Sequence, residues 1–306
     1  MADEIREAAP AKINLYLHVT GRRPDGYHLL DSLLAFADIG DEIRVKPASN
    51  LSFAIDGPFA EALSTGDENL VVRAARGVRA LMETEAGAHI TLTKNLPLAS
   101  GIGGGSADAA AAIRALLRLW GHSTEPQRLH FLALSLGADV PVCLESRSAY
   151  FSGIGDIVDL APPPPPLGLV LVNPLIATAT PDVFKARSGD YSRPARLDPR
   201  ISGVSDFIAA LAQRRNDLEA AAMALVPEIG VVLARLDAEP GILLARMSGS
   251  GATCFGLYAD RQAASESAQR IAADYPNWWV QAGGFTEESV AHRQDFSYGA
   301  PLSGGA

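Results

Sequence analysis

Residues 94–119, KNLPLASGIGGGSADAAAAIRALLRL, constrain the fold more than any other stretch of this chain. A short β-prone run at residues 90–93 leads into a loop where Gly101, Gly103, Gly104 and Gly105 crowd together. Beyond Ser106 the apolar period changes: Ala110, Ile113, Leu116, Leu117 and Trp120 recur at three- and four-residue steps, one face of an amphipathic helix. A glycine loop feeding a helix leaves the first helical N–H groups unpaired and presents the positive end of the macrodipole. Glycine adds no side chain to obstruct a ligand and tolerates positive φ, so the stretch reads as a cradle for a polyphosphate. Ser106 or Asp108 is the expected N-cap of the helix. An ordinary glycine-rich turn is the competing reading, and the strand–loop–helix setting weighs against it. No Gly-Lys-Ser/Thr ends the loop, so it is not a P-loop. The acid that a dinucleotide site needs about 20 residues onward has no counterpart, since Glu125 falls in a polar turn before Pro126.

The size of the chain sets what surrounds this loop. With 306 residues, 48% of them hydrophobic, it can bury a large core and is expected to form two domains. A net charge of −9 argues against a general nucleic-acid binder. No apolar run is long enough to span a membrane, and the opening MADEIREAAP lacks the basic and apolar segments of a secretion signal. Cys143 and Cys254 are too few for a disulfide framework or a zinc site and lie in apolar stretches, as buried free thiols do. The expectation is a soluble, cytoplasmic protein; these features leave its oligomeric state open.

Taken in order, residues 12–19 read as a strand with Ile13, Leu15, Leu17 and Val19 on one face and Lys12, Asn14, Tyr16 and His18 on the other. Pro24, Asp25 and Gly26 make a turn, after which Tyr27 and His28 read, on residue type alone, as a surface aromatic and a surface imidazole. Residues 34–45 form a second β-rich run, interrupted by Asp38, Gly40 and Asp41. A helix follows Asn69 through Leu70, Ala74, Val78, Leu81 and Met82, closed by Gly87. After the glycine-loop helix, residues 126–136 form another helix, stopped by Gly137. Asp139 then sits among small and apolar residues; a carboxylate buried there needs a partner, and Lys12 is an available cation. Five consecutive prolines at 162–166 cannot continue a helix or a central strand and mark a stiff connector between two folded regions. Beyond it come a strand at 169–172, helices across 204–225 and 229–236, strands at 242–247 and 253–258, a helix at 263–273 and a strand at 278–281. This approximates a β-α-β-β-α-β plan. Residues 247–252, MSGSGA, form a second glycine-rich turn, either a plain hairpin or a second anion cradle facing the first across a cleft. The end of the chain after His292 is expected to fray.

Three separated segments together resemble the GHMP kinase superfamily: the early lysine-bearing strand, PLASGIGGGSADAA and MSGSGATCF. Within it, APAKINLYLHVTGRRPDGYHLLDSL, DENLVVRAA, KNLPLASGIGGGSADAA, LGADVPVC, PDVFK and MSGSGATCF look most like one branch. That branch phosphorylates a cytidine diphosphate-linked methylerythritol on its 2-hydroxyl, in the non-mevalonate route to isoprenoid precursors. The resemblance implies an α/β (α+β) fold of two domains: a ribosomal-protein-S5-like ATP-binding and catalytic domain over residues 1–161 and a ferredoxin-like domain over 167–291. Residues 292–306 would be a flexible tail.

The resemblance also implies roles. Asp139 matches the catalytic acid residue that accepts the hydroxyl proton. Lys12 matches the lysine that pairs with it and stabilises developing phosphoryl charge, which suits a reaction whose catalysis is chiefly positioning and electrostatics. The loop Pro97, Leu98, Ala99, Ser100, Gly101, Ile102, Gly103, Gly104, Gly105, Ser106, Ala107 and Asp108 would hold the ATP phosphates through its backbone, with Asn69 and Lys94 looking onto the base. The acceptor would stack on Tyr27, contact His28, and meet Phe184 as a second aromatic wall, with Asn14 and Thr180 adding polar contacts; a cytosine offers a π face and a polar edge to such a pair. His18, His89, His122, His130 and His292 keep the surface reading. Ala99 and Ser100 stand where relatives often carry glycine. Asp108 is open to two roles, approach to Mg²⁺ or a helix cap, the cap being preferred. Magnesium is implied by ATP chemistry, without assignable ligands. Rival readings are a GHMP-type kinase for homoserine, mevalonate or a sugar, and a non-catalytic nucleotide-binding module.

Overall fold

Two long strands frame the first half of the protein in the computed structural model, which describes residues 4–121 and 124–286. β1 (Ile5–Arg22) and β2 (His28–Ala48) pair antiparallel along almost their whole length. The second β-rich run is therefore not interrupted at Asp38, Gly40 and Asp41. A Cβ on Gly40 would lie 2.4 Å from the Ala9 carbonyl oxygen, so glycine is there to let β1 approach closely rather than to break the strand. β1 slips in register between Pro10 and Lys12, between Asn14 and Tyr16 and between Val19 and Gly21. Each slip changes which face the following residues present, so the strict alternation expected over 12–19 fails. Ile13, Leu15 and Tyr16 join one core cluster, and Leu17 and Val19 another. His18, expected at the surface, is buried at 7% exposure.

β3 (Leu51–Asp56) leads to α1 (Leu70–Leu81), whose first turn is capped by the Asn69 side chain accepting from the Val71 N–H. The helix ends at Met82, and Gly87 does not close it but opens β4 (Gly87–Thr93). β4 delivers the chain into the glycine loop and α2 (Gly104–Trp120), followed by α3 (Pro126–Leu136), α4 (Val140–Glu145), β5 (Ala149–Gly153) and β6 (Ile157–Leu160). The sheet runs β3-β4-β2-β5-β6 with β1 on β2, and only β3 and β4 are parallel. The small side chains Ala107, Ala109, Ala110, Ala111, Ala112 and Ala115 let α2 lie close inside this core.

Past the prolines come β7 (Gly168–Asn173), α5 (Thr180–Ala186), α6 (Gly203–Ala212), α7 (Glu219–Leu225), α8 (Glu228–Asp237), β8 (Ile242–Met247), β9 (Cys254–Tyr258), α9 (Arg261–Asp274) and β10 (Trp279–Gly284). The antiparallel order β10-β7-β9-β8 is the ferredoxin-like arrangement. The helix expected across 204–225 is two, because the chain between α6 and α7 pairs with β1: the Leu17 N–H donates to Arg215 C=O and the Asp217 N–H to Leu17 C=O. The two sheets share a core in which Ile13, Leu15 and Leu33 meet Leu169, Phe207 and Phe255. Cys143 and Cys254 are buried free thiols. Among the described residues no helix is long and apolar enough to cross a membrane. His122, His292 and the segment 292–306 lie outside the described residues.

Candidate active site

β1, the glycine loop, the start of α4 and the turn after β8 meet around one cleft of about 780 Å³. The strand supplies Lys12, tied to the loop by its backbone N–H, which donates to Ile102 C=O at 2.9 Å. Its ammonium lies 3.0 Å from Asp139 Oδ2 and donates to Asn14 Oδ1 at 3.3 Å. Asp139 occupies the residue before α4 yet makes no side-chain cap bond, so its carboxylate is turned to Lys12 and the cleft. The lysine side chain is 8% exposed and the aspartate 31%, which puts the acid on the open side of the pair. An ammonium has three N–H donors; Asp139 and Asn14 account for two. One turn further, burial pushes the Cys143 thiol up to about 12, so it stays protonated and unreactive.

The glycine loop differs from expectation at its helix. Gly103, in the left-handed region at φ 67°, is the N-cap, and neither Ser106 nor Asp108 caps anything. Ser106 is already the third helical residue, while Asp108 lies in the second turn and points inward. Its Oδ2 accepts from Lys94 Nζ at 2.6 Å, and the same ammonium donates to Asp41 Oδ2 at 2.6 Å. Asp41 Oδ1 in turn accepts the Asn95 and Leu96 N–H groups, fastening the loop's entry to β2. Burial alone would lower the Lys94 pKa, but Asp108 and Asp41 outweigh it and raise it. Burial, with Asp41 adding to it against Lys94, pushes the Asp108 carboxyl well above the usual carboxylate range. Lys94 lines the floor of the cleft, but its side chain is 2% exposed and its ammonium is held by those two acids, so it offers no free charge to a base.

The second glycine turn does not face the first across open space; it packs directly against it. Ser248 Oγ accepts the Asn14 N–H at 3.1 Å and donates to Gly101 C=O at 3.3 Å, and the Thr253 N–H donates to Ser100 C=O at 3.1 Å. A Cβ at Gly101 would come within 2.6 Å of the Ser248 carbonyl oxygen. Gly249 and Ser250 thereby become part of the cleft wall.

Of the residues singled out from sequence, Lys12, Asn14, Asn69, Lys94, Asp108, Asp139, Thr180, Phe184 and the loop residues Pro97, Leu98, Ala99, Ser100, Gly101, Gly103, Gly104, Gly105 and Ser106 line the cleft. Ile102 and Ala107 turn their side chains into the core and can contribute backbone only. Asn69 is occupied as the α1 cap and also donates to Ser64 C=O. His28, itself outside the cleft lining, stacks its ring on Phe184 of the cleft wall with centroids 5.1 Å apart and planes at 23°. Burial, then the Arg22 and Arg187 guanidiniums, hold His28 below its usual pKa, keeping it a neutral donor–acceptor. Thr180 Oγ1 shares a hydrogen bond with Ser250 Oγ at 2.8 Å. Tyr27 stands outside the cleft lining at 62% exposure on the turn before β2. Sequence reasoning missed Asp41, read as a strand interruption, and Thr178, which donates to Gly251 C=O at 2.6 Å beneath the second turn. An acid after a glycine inside a β run was the available signal for Asp41; Thr178 carried none.

Comparison with known proteins shows the family and the fold. The family described as GHMP kinases N terminal domain matches residues 69–147, and that described as GHMP kinases C terminal matches residues 200–277. The chain is 54% identical, over 89% of its length and 96% of the relative's, to 4-diphosphocytidyl-2-C-methyl-D-erythritol kinase of Cereibacter sphaeroides. A crystal structure of 4-(cytidine 5'-diphospho)-2C-methyl-D-erythritol kinase superposes with a TM-score of 0.78 at 33% identity, covering 92% of this chain and all of that one. Homoserine kinase from Cytophaga hutchinsonii shares the fold at 20% identity, with a TM-score of 0.69 over 94% of this chain and 95% of that one.

Proposed function

This chain belongs to the GHMP kinases, among the 4-diphosphocytidyl-2-C-methyl-D-erythritol kinases, and we infer from that membership the reaction its cleft performs. It transfers the γ-phosphoryl group of ATP to the 2-hydroxyl of 4-diphosphocytidyl-2-C-methyl-D-erythritol, giving the 2-phosphate and ADP. The observation that carries the residue roles is the 3.0 Å contact between Lys12 and Asp139 beside the glycine loop. As the acceptor oxygen bonds to the γ-phosphorus and the bridge to ADP breaks, Asp139 takes the hydroxyl proton. Lys12 directs its remaining N–H toward the charge that grows on the phosphoryl oxygens. The loop holds the nucleotide phosphates through the unpaired N–H groups at the start of α2, and the cytosine stacks on Tyr27 with Phe184 as a second aromatic wall and His28 as a polar contact.

Mg²⁺ commonly takes one or two protein oxygens plus phosphates, and the carboxylate and hydroxyl side chains on the cleft wall fit magnesium carried in by the nucleotide. Glu68 and Ser106 line the cleft with oxygens that would complete its shell, and the ion would neutralise phosphate charge when bound. The first half would supply ATP binding and the proton acceptor, the second half the wall behind the acceptor, and a cytoplasmic location is part of the same proposal.

An ADP-release assay over a panel of acceptors, with the cytidine diphosphate compound beside homoserine, mevalonate and sugars, tests the substrate. Asp139→Asn should lower kcat by about 10³-fold while ATP affinity stays near wild type, because an amide cannot accept the proton. Normal turnover by that variant would remove Asp139 from the mechanism.

A further inference from the structure

We propose that Ser32, which touches neither the nucleotide cradle nor the acceptor wall, is a positioning residue for phosphoryl transfer: its hydroxyl sets the Asn14 amide, and the amide aims Lys12. The proposal rests on the roles of Lys12 and Asp139 given above. Ser32 lies in β2 at the middle of the sheet, opposite Leu17 of β1 and Phe151 of β5, and is fully buried. Its Oγ donates to the Tyr16 carbonyl at 2.5 Å and accepts from Asn14 Nδ2 at 2.8 Å.

The direction of this chain of bonds is forced. A carbonyl oxygen cannot donate, so the one hydroxyl proton of Ser32 must point at Tyr16. The hydroxyl oxygen can then only accept from Asn14, which requires the amide nitrogen on that side. The amide oxygen is thereby turned to Lys12, 3.3 Å from its ammonium. Asn14 is 2% exposed, Tyr16 0% and Lys12 6%, so water is not at hand to replace a missing partner. The register slip of β1 between Asn14 and Tyr16 brings both the Tyr16 carbonyl and the Asn14 side chain to the same hydroxyl. With one ammonium hydrogen on Asn14 and one on Asp139, the direction of the third is fixed toward the cleft. Without the hydroxyl, the amide is free to turn over and set N–H against N–H⁺, and the third hydrogen loses its aim.

The test compares Ser32→Ala, Ser32→Thr, Asn14→Ala and the Ser32→Ala/Asn14→Ala double variant by kcat, by KM for ATP and for the acceptor, and by thermal melting. Ser32→Ala should lower kcat about 10- to 100-fold, the range for removing an outer-shell partner that orients a ligand group at a metal site, with both KM values within about threefold. Ser32→Thr, which keeps the hydroxyl, should recover kcat to within about threefold of wild type. In the Asn14→Ala background the serine change should cost less than about twofold more, because its effect passes through that amide. Ser32→Cys, similar in size with only a weak S–H donor, should lose kcat like Ala and replaces it if Ala melts below the assay temperature. Wild-type kcat in folded Ser32→Ala, losses that multiply in the double variant, or a folded Ser32→Thr as slow as Ala would each overturn the role of Ser32. Those results leave the reaction itself standing; absent acceptor-dependent ADP release from the wild-type chain would instead overturn the reaction.

Discussion

At the level of single residues, Lys94, Asp41 and Asp108 form a buried group with one cation between two acids. Asp41 is satisfied on both oxygens, whereas Asp108 Oδ1 is buried without a hydrogen-bond partner. The carboxyl that is harder to ionise is thus Asp108, raised by burial and by its neighbour Asp41. A group whose pKa rises on folding binds its proton more tightly in the folded state. Its contribution to stability is therefore complete below its unfolded value near 3.8 and is lost as pH rises through the higher folded value. Asp108→Asn has no such proton to lose. Melting temperatures taken from pH 4 to pH 8 should show wild type falling progressively below Asp108→Asn as pH rises. Parallel curves would mean that Asp108 is ionised throughout.

Among elements, the decisive pairing is between the two glycine turns. Gly101 adopts φ 75° while its Cα faces the backbone of the turn after β8, so both the conformation and the space exclude a side chain. Gly101→Ala must shift one turn against the other. A left-handed alanine costs roughly 1–2 kcal/mol before any contact is counted, and the displaced N–H groups are those proposed above to hold the phosphates. We expect KM for ATP to rise about tenfold or more, with acceptor KM much less affected, in steady-state assays varying each substrate. An equal rise in both would place the damage in the whole cleft rather than in the cradle.

For the molecule as a whole, the two halves are interlocked rather than strung together. Arg246 of β8, 6% exposed, donates to Leu15 C=O of β1 at 2.6 Å and to Leu211 and Arg214 C=O at 3.0 and 2.6 Å. Burial holds its guanidinium down to about 10, so it is charged at neutral pH. β10 is also bonded to the first half: the Gly284 N–H donates to Asp38 Oδ1 at 2.8 Å. Arg246→Leu leaves two buried carbonyls and one half-buried carbonyl without their donor, a loss on the order of 3 kcal/mol. Calorimetry should show the melting point falling while unfolding stays a single transition, because the core of one sheet is completed by the other. Two separated transitions in the wild type would refute that coupling.

The glycine loop, the helix at its end and the ferredoxin-like order of elements were legible in the chain, because each rests on local chemistry: φ freedom, hydrogen-bonding termini, a period of 3.6 or 2. The family resemblance carried Lys12 and Asp139 as well, two residues 127 positions apart whose contact no local rule implies. What only the tertiary structure decided were the partners of buried polar groups. His18 sits beneath residues 192–215, with its ring nitrogens against Arg193 C=O and the Arg215 N–H; Asp108 turns from a cap into an ion-pair partner; Ser32 takes its place behind Asn14. A polar side chain in water has no preferred mate. It acquires one when folding removes the water and leaves a single group within reach, and which group that is depends on strand register and on how two sheets meet.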